Sequence, residues 1–124
     1  MTIDTRPYIL IAEDDFIAQS FFEESLAHHY QVSLVENGQY FFEAIHEKKP
    51  DLVILDISMP IMDGIETCRA LRERVEYDDV PVILASAEAT QKIVDDCEAN
   101  DFLVKPFSEK QLISAIEKHL SQLK

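Results

Sequence analysis

Five times along this chain a short run of apolar, mostly branched side chains is followed by a segment whose apolar residues recur at helical spacing. The strand-like runs are Tyr8 to Ala12, Gln31 to Val35, Leu52 to Leu55, Pro81 to Ala85 and Phe102 to Val104. The first helical pattern covers about Asp15 to His28, with Ile17, Phe21, Phe22 and Leu26 on one side, and the second covers Gln39 to Lys48, with Phe41, Phe42 and Ile45. A third follows Asp63-Gly64 and carries Ile65, Cys68, Leu71 and Val75. The fourth, Ala89 to about Cys97, has only Ile93, Val94 and Cys97 on its apolar face, so it is expected to be the most mobile element. The last starts from a Ser108 cap and aims Leu112, Ile113, Ile116, Leu120 and Leu123 at the core. Glu76 to Asp79 reads as an acidic loop. Runs that are apolar throughout, rather than alternating, belong to strands buried on both faces. Five strand-helix units joined by short connections therefore predict an α/β fold, one parallel sheet with helices on both sides and right-handed crossovers.

In such a sheet every strand ends at the same edge, and the residues that follow the strands are unusual. Glu13 and Asp14 follow the first strand, Asp56 the third, Ser86 the fourth and Lys105 the fifth. Singly, each has an ordinary account as an N-cap, a turn residue or a solvated lysine. Jointly they do not, since capping has no reason to choose the same edge in four of five units. Carboxylates about 4 Å apart repel by roughly 4 kcal/mol at an intermediate dielectric. A cation is therefore required among them. Lys105 offsets one charge, and a hard divalent ion with oxygen ligands, Mg²⁺ foremost and Mn²⁺ as a substitute, offsets the rest. Ser86 and Lys105 are suitable donors to the oxygens of a phosphoryl group. The stretch DLVILDISMPIMDG, from Asp51 to Gly64, carries the central acid at a strand end, with Pro60 stiffening the loop behind it.

Composition narrows the partners. A chain of 124 residues fits one domain, read here as 1–124 with its core at about 8–123, and buries roughly two thirds of its unfolded surface. The 24 acidic residues against 11 basic ones, net −13, oppose direct binding to nucleic acid or to an anionic membrane and favour a cation or a basic protein surface. Cys68 and Cys97 lack metal-ligand spacing and read as buried free thiols, which suits a reducing cytoplasm. His28-His29 reads as a solvated helix end. The amino terminus has too short an apolar core for a signal peptide, and no run reaches membrane-spanning length.

Four motifs in order, LIAEDD, DLVILDISMPIMDG, VILASA and FLVKPF, resemble those of the receiver (CheY-like) domains of bacterial two-component response regulators, and the likeness extends from about Tyr8 to Leu123. The resemblance implies a flavodoxin-like, doubly wound (βα)5 fold with a five-stranded parallel sheet of order 2-1-3-4-5. It makes Asp56 the acceptor of a phosphoryl group from a histidine kinase or histidine phosphotransfer protein. By the same likeness Asp14 and Asp56 ligate Mg²⁺, Glu13 acts through water, and the Ser58 backbone carbonyl completes the protein ligands. Lys105 and Ser86 assist transfer, and the Lys105-Pro106 bond is commonly cis. Ser86 and Phe102 would form the switch, although a plain core role for Phe102 stands beside it. Ser58 and Glu88 flank the mouth and would tune hydrolysis of the acyl phosphate.

The output face implied is the fourth helix, fifth strand and fifth helix, available to a downstream protein, a tethered effector or a second copy. Such a protein is a signalling phosphoacceptor that catalyses only its own phosphorylation and dephosphorylation. Three positions depart from the common pattern: Glu98 where Gly is frequent, Phe41 where a small residue is usual, and Ser86 where Thr is commoner. Two other readings use the same fold. A flavin carrier needs a Ser/Thr/Gly-rich phosphate loop after the first strand, where this chain has Glu-Asp-Asp. A phosphorylation-independent interaction module remains the alternative, and the domain is expected either to stand alone or to belong to a longer regulator.

Overall fold

The computed structural model describes residues 3–121. Its sheet has the order β2-β1-β3-β4-β5, all parallel, built from β1 (Tyr8–Ala12), β2 (Gln31–Val35), β3 (Leu52–Leu55), β4 (Val82–Ser86) and β5 (Asp101–Val104). The helices are α1 (Phe16–Leu26), α2 (Gly38–Glu47), α3 (Gly64–Arg72), α4 (Gln91–Cys97) and α5 (Glu109–Ser121). This is the flavodoxin-like order that the sequence motifs imply.

β1, β3 and β4 are buried along their whole length, which is why they read as unbroken apolar runs. Alternate residues of these strands feed two cores. Leu10, Val53, Leu55, Val82 and Leu84 pack with Phe41, Cys68, Leu71 and Val94, while Ile9, Ile11, Ile54 and Ile83 pack with Phe22, Leu26, Leu112 and Ile116. Phe41 is fully buried and meets Phe42 edge to face, so the bulk expected in α2 is core volume.

Caps set the helix starts. Asp15, Asn37, Asp63 and Thr90 each accept a backbone N–H of the first turn, and Ser108 and Gln111 exchange reciprocal bonds at α5. Three expectations need correction. α1 starts after Asp15 and leaves Ile17 78% exposed, because its first turn extends beyond the sheet edge. α3 ends at Arg72; a short 3₁₀ turn, Val75–Tyr77, then buries Tyr77 and turns Val75 outward. Ala89 is buried but lies in the loop before α4, which starts only at Gln91. In α5 Leu112 and Ile116 are fully buried, His119 joins them, and Leu123 lies outside the described residues.

Glu98 does not disrupt the end of α4. It adopts the left-handed conformation itself (φ 63°, ψ 35°) and its N–H reaches the Val94 carbonyl, so the helix closes as it would with glycine, at the cost of Cβ strain. Glu98→Gly is expected to stabilise the protein by about 0.5–1 kcal/mol, seen as a higher urea midpoint at unchanged m-value.

Candidate functional site

The register explains how distant residues meet. Ala12 pairs with Leu55, and the Asp56 N–H donates to the Ala12 carbonyl at 2.9 Å, so Glu13 and Asp56 leave adjacent strands at one level. Ser86 closes β4 beside them, and the Lys105 N–H donates to the Ser86 carbonyl at 3.2 Å. Five residues drawn from 93 positions of sequence thus share one sheet edge, as the strand-end argument requires.

Glu13 is 1% exposed and tightly held. Its backbone N–H donates to Val35 O at 2.9 Å, its carbonyl accepts the Gln19 side-chain amide at 2.6 Å, and its carboxylate accepts the Asp15 N–H at 3.1 Å. Lys105 Nζ forms a short ion pair with Glu13 and lies 3.8 Å from Asp56 Oδ1. Asp14, by contrast, is exposed at the rim. Gln19 carried no signal in the sequence, since a polar residue in the second turn of a helix is ordinary surface until the fold turns it toward a strand end.

Carboxylate oxygens of Glu13, Asp14 and Asp56 all lie within 4.8 Å of one another. That span is close to the ~4.2 Å between opposite oxygens of an octahedral Mg²⁺ shell, and the donors are the hard oxygens such an ion takes. Three acids face one lysine. Burial, then the charge of Glu13 and a hydrogen bond to it, push the Asp56 carboxyl up to about 7, against the opposing pull of Lys105 and the Ser58 N–H. The residues present therefore fit a divalent cation, on geometry and on charge.

The loop behind Asp56 is rigid by construction. Gly64 N–H donates to Ile57 O at 2.9 Å, and a Cβ on Gly64 would collide with the Asp56 carbonyl, so only glycine lets α3 start against the central acid. The Met62 N–H reaches Pro60 O at 2.7 Å, a γ-turn of the rare hand with Ile61 at φ 70°. The Lys105-Pro106 bond is cis.

Other residues singled out from sequence sit around this cup. Ser58 is exposed and its hydroxyl donates to Glu88 Oε2 at 3.3 Å, bridging the mouth. Ser86 is buried, and its hydroxyl accepts the Glu88 N–H at 3.3 Å. Phe102 is half-buried against the core shared by α2, α3 and α4.

The sequence profile of the response regulator receiver domain matches residues 9–117. The chain belongs to this receiver domain family. Among its relatives, the response regulator MprA of Mycolicibacterium vanbaalenii is 34% identical over 110 residues, covering 86% of this chain and 47% of the relative. The receiver domain thus spans about half the length of the curated relatives it matches. Its fold superimposes on the signal receiver domain of a signal transduction histidine kinase from Syntrophus aciditrophicus with a TM-score of 0.87 at 33% identity, covering 95% and 92% of the two chains. A receiver domain of a sensor histidine kinase from Pseudomonas aeruginosa PAO1, with a magnesium ion coordinated in its active-site cleft, gives 0.84 at 27% identity over 94% and 99%. Receiver domains are signalling domains of two-component systems rather than turnover enzymes. Among the described residues no helix is long and apolar enough to cross a membrane.

Proposed function

We propose that this receiver domain takes a phosphoryl group onto Asp56 from a phosphohistidine on a histidine kinase or histidine phosphotransfer protein. The observation that carries this reading is the unbalanced acid cluster, in which the buried Asp56 shares one sheet edge with Glu13 and Asp14, and a single lysine, paired with Glu13, lies 3.8 Å from Asp56. Asp56 Oδ attacks phosphorus in line, an O–P bond forms, and the P–N bond to the donor imidazole breaks with its electron pair leaving on nitrogen, which is then protonated. A bound Mg²⁺ would be held by Asp14, Asp56 and the Ser58 carbonyl, with Glu13 acting through water, and would supply positive charge to the phosphoryl oxygens. Lys105, released in part from Glu13, donates to another of those oxygens, and the Ser86 hydroxyl to a third.

The donor protein must bring its phosphorus within bonding distance of Asp56, so its surface has to cover the first turn of α1. That turn exposes Phe16 (79%) and Ile17, beside a groove of about 500 Å³ lined by Ala18, Phe21, Pro106 and Phe107. Exposed apolar side chains at the rim of an acidic site suit an apolar helical face on the donor. Once Asp56 carries phosphate, Ser86 is drawn to the new oxygens and Phe102 follows it inward, shifting the α4-β5-α5 face toward its output population. The Ser58–Glu88 bridge limits access of water to the acyl phosphate, and so sets its lifetime.

Acetyl phosphate or phosphoramidate is expected to label the protein only when Mg²⁺ or Mn²⁺ is present, with a phosphate that base and hydroxylamine remove and that is absent from Asp56→Asn. Intact-mass measurement gives the answer. Label retained in Asp56→Asn, or equal labelling in chelator, overturns the reading. Mg²⁺ binding without any labelling favours an interaction module on the same fold.

A further inference from the structure

We propose that α4 moves as a lever pivoted at its C-terminal end, with Arg72 as the residue that positions the pivot. The two ends of this seven-residue helix are held quite differently. At the C-terminal end, carbonyls that a helix normally leaves to water are taken by α3. The Arg72 guanidinium donates through Nε to Glu98 O at 2.8 Å, through Nη1 to Tyr77 O at 3.1 Å and through Nη2 to Asn100 Oδ1 at 2.7 Å. Asn100 is itself clamped to the start of β4, its Oδ1 accepting the Val82 N–H and its N–H donating to Val82 O, both at 2.8 Å. The Cys68 thiol, one turn before Arg72, donates to Cys97 O at 3.2 Å. Val94 and Cys97 are buried beneath these contacts.

At the other end the Val94 N–H to Thr90 O bond, at 3.1 Å, is of ordinary length, and the bonds around it are longer. Thr90 Oγ1 accepts the Ile93 N–H, the Ala89 N–H reaches Ser86 O, and the Glu88 N–H reaches Ser86 Oγ, each at 3.3 Å. Ala87, Glu88, Thr90, Gln91 and Lys92 are all exposed. One of these bonds ends on the Ser86 hydroxyl, so when that hydroxyl turns to a phosphoryl oxygen the Glu88 N–H is released and the loop leading into α4 loosens, while the Ala89 N–H stays on the Ser86 carbonyl. The far end stays on Arg72. This last step rests on the assignment of Asp56 as acceptor; the pivot does not.

The native thiols report on the pivot, because both are buried under it. Labelling of Cys68 and Cys97 by a disulfide reagent is expected to be slow in the unliganded protein and to accelerate steeply with urea. Arg72→Ala is expected to raise the rate at Cys97 roughly tenfold with little urea dependence, the mark of a local opening of α4, and Arg72→Lys to restore part of the protection. A rate unchanged in Arg72→Ala, or raised with the full urea dependence of global unfolding, overturns the pivot. In a second arm, beryllofluoride is added and its binding followed by the ¹⁹F resonance of the bound ion. Amide hydrogen exchange is expected to change over residues 87–93 and to hold over residues 94–100. A change spread over both halves overturns the lever, whereas absence of the bound resonance rejects the acceptor assignment and leaves the thiol measurement to decide the pivot.

Discussion

Asp56→Asn is expected to make the metal-free protein more stable while abolishing its capacity to carry phosphate. The sign follows from linkage. The folded protein holds the Asp56 carboxyl at about 7, above its value of about 4 in the unfolded chain. Folding therefore favours the protonated form: there is no penalty below about pH 4, the penalty grows as pH rises to 7, and above that it reaches up to about 4 kcal/mol. Asn keeps the shape and removes the charge. At pH 8 in chelator the variant is expected to gain about 2–4 kcal/mol, on the order of 10 °C in Tm, and at pH 4 almost nothing. Calorimetry at the two pH values checks this. Equal gains at both would show that the effect is packing rather than charge. Mg²⁺ is expected to close the gap at pH 8, since an ion that binds the wild-type cluster stabilises only the folded form.

Lys105→Met has the opposite expected sign. It leaves the buried Glu13 without its countercharge; breaking a fully buried pair costs about 3–5 kcal/mol, and because the Lys105 side chain is 27% exposed the loss is expected at or below the low end of that range. The loss is expected at pH 8 in chelator, read as a lower Tm or urea midpoint. Added Mg²⁺ should restore much of the stability but little of the labelling, because the ion replaces the missing charge and not the missing donor. If the variant is as stable as wild type in chelator, Lys105 is a surface lysine and the site description fails. Two substitutions a few ångströms apart, both removing charge, are thus expected to move stability in opposite directions, which a packing account does not produce.

The sheet was legible in the sequence because its central strands are buried on both faces and leave uninterrupted apolar runs. The site was legible for a related reason: a parallel sheet makes strand ends converge, so Glu13, Asp56, Ser86 and Lys105 declare a common edge before any contact is known. Where helical periodicity misled, it did so past the sheet boundary. Ile17 continues the apolar spacing of α1, yet it stands beyond the last strand residue and has no sheet to cover. Val75 extends the spacing of α3, but the chain has already turned after Arg72 and spends Tyr77 on the core instead. The contacts least visible in advance are those of side chain to backbone, Gln19 to the Glu13 carbonyl and Arg72 to the Glu98 carbonyl. A carbonyl has no letter in the sequence. The pair formed by His119 Nε2 and Asp101 Oδ2 at 2.8 Å escaped for another reason, since a histidine late in an amphipathic helix reads as solvent-facing.

The exposed Phe16 and Ile17 also bear on the colloidal behaviour of the protein. An apolar rim of this kind invites self-association, and what keeps copies apart is mutual repulsion from a net charge of −13. That shield is made of carboxylates, so it thins as the medium is acidified and is screened as salt is added. Storage near the isoelectric point or in concentrated salt would leave the sticky rim as the dominant surface, and turbidity would rise there without any unfolding.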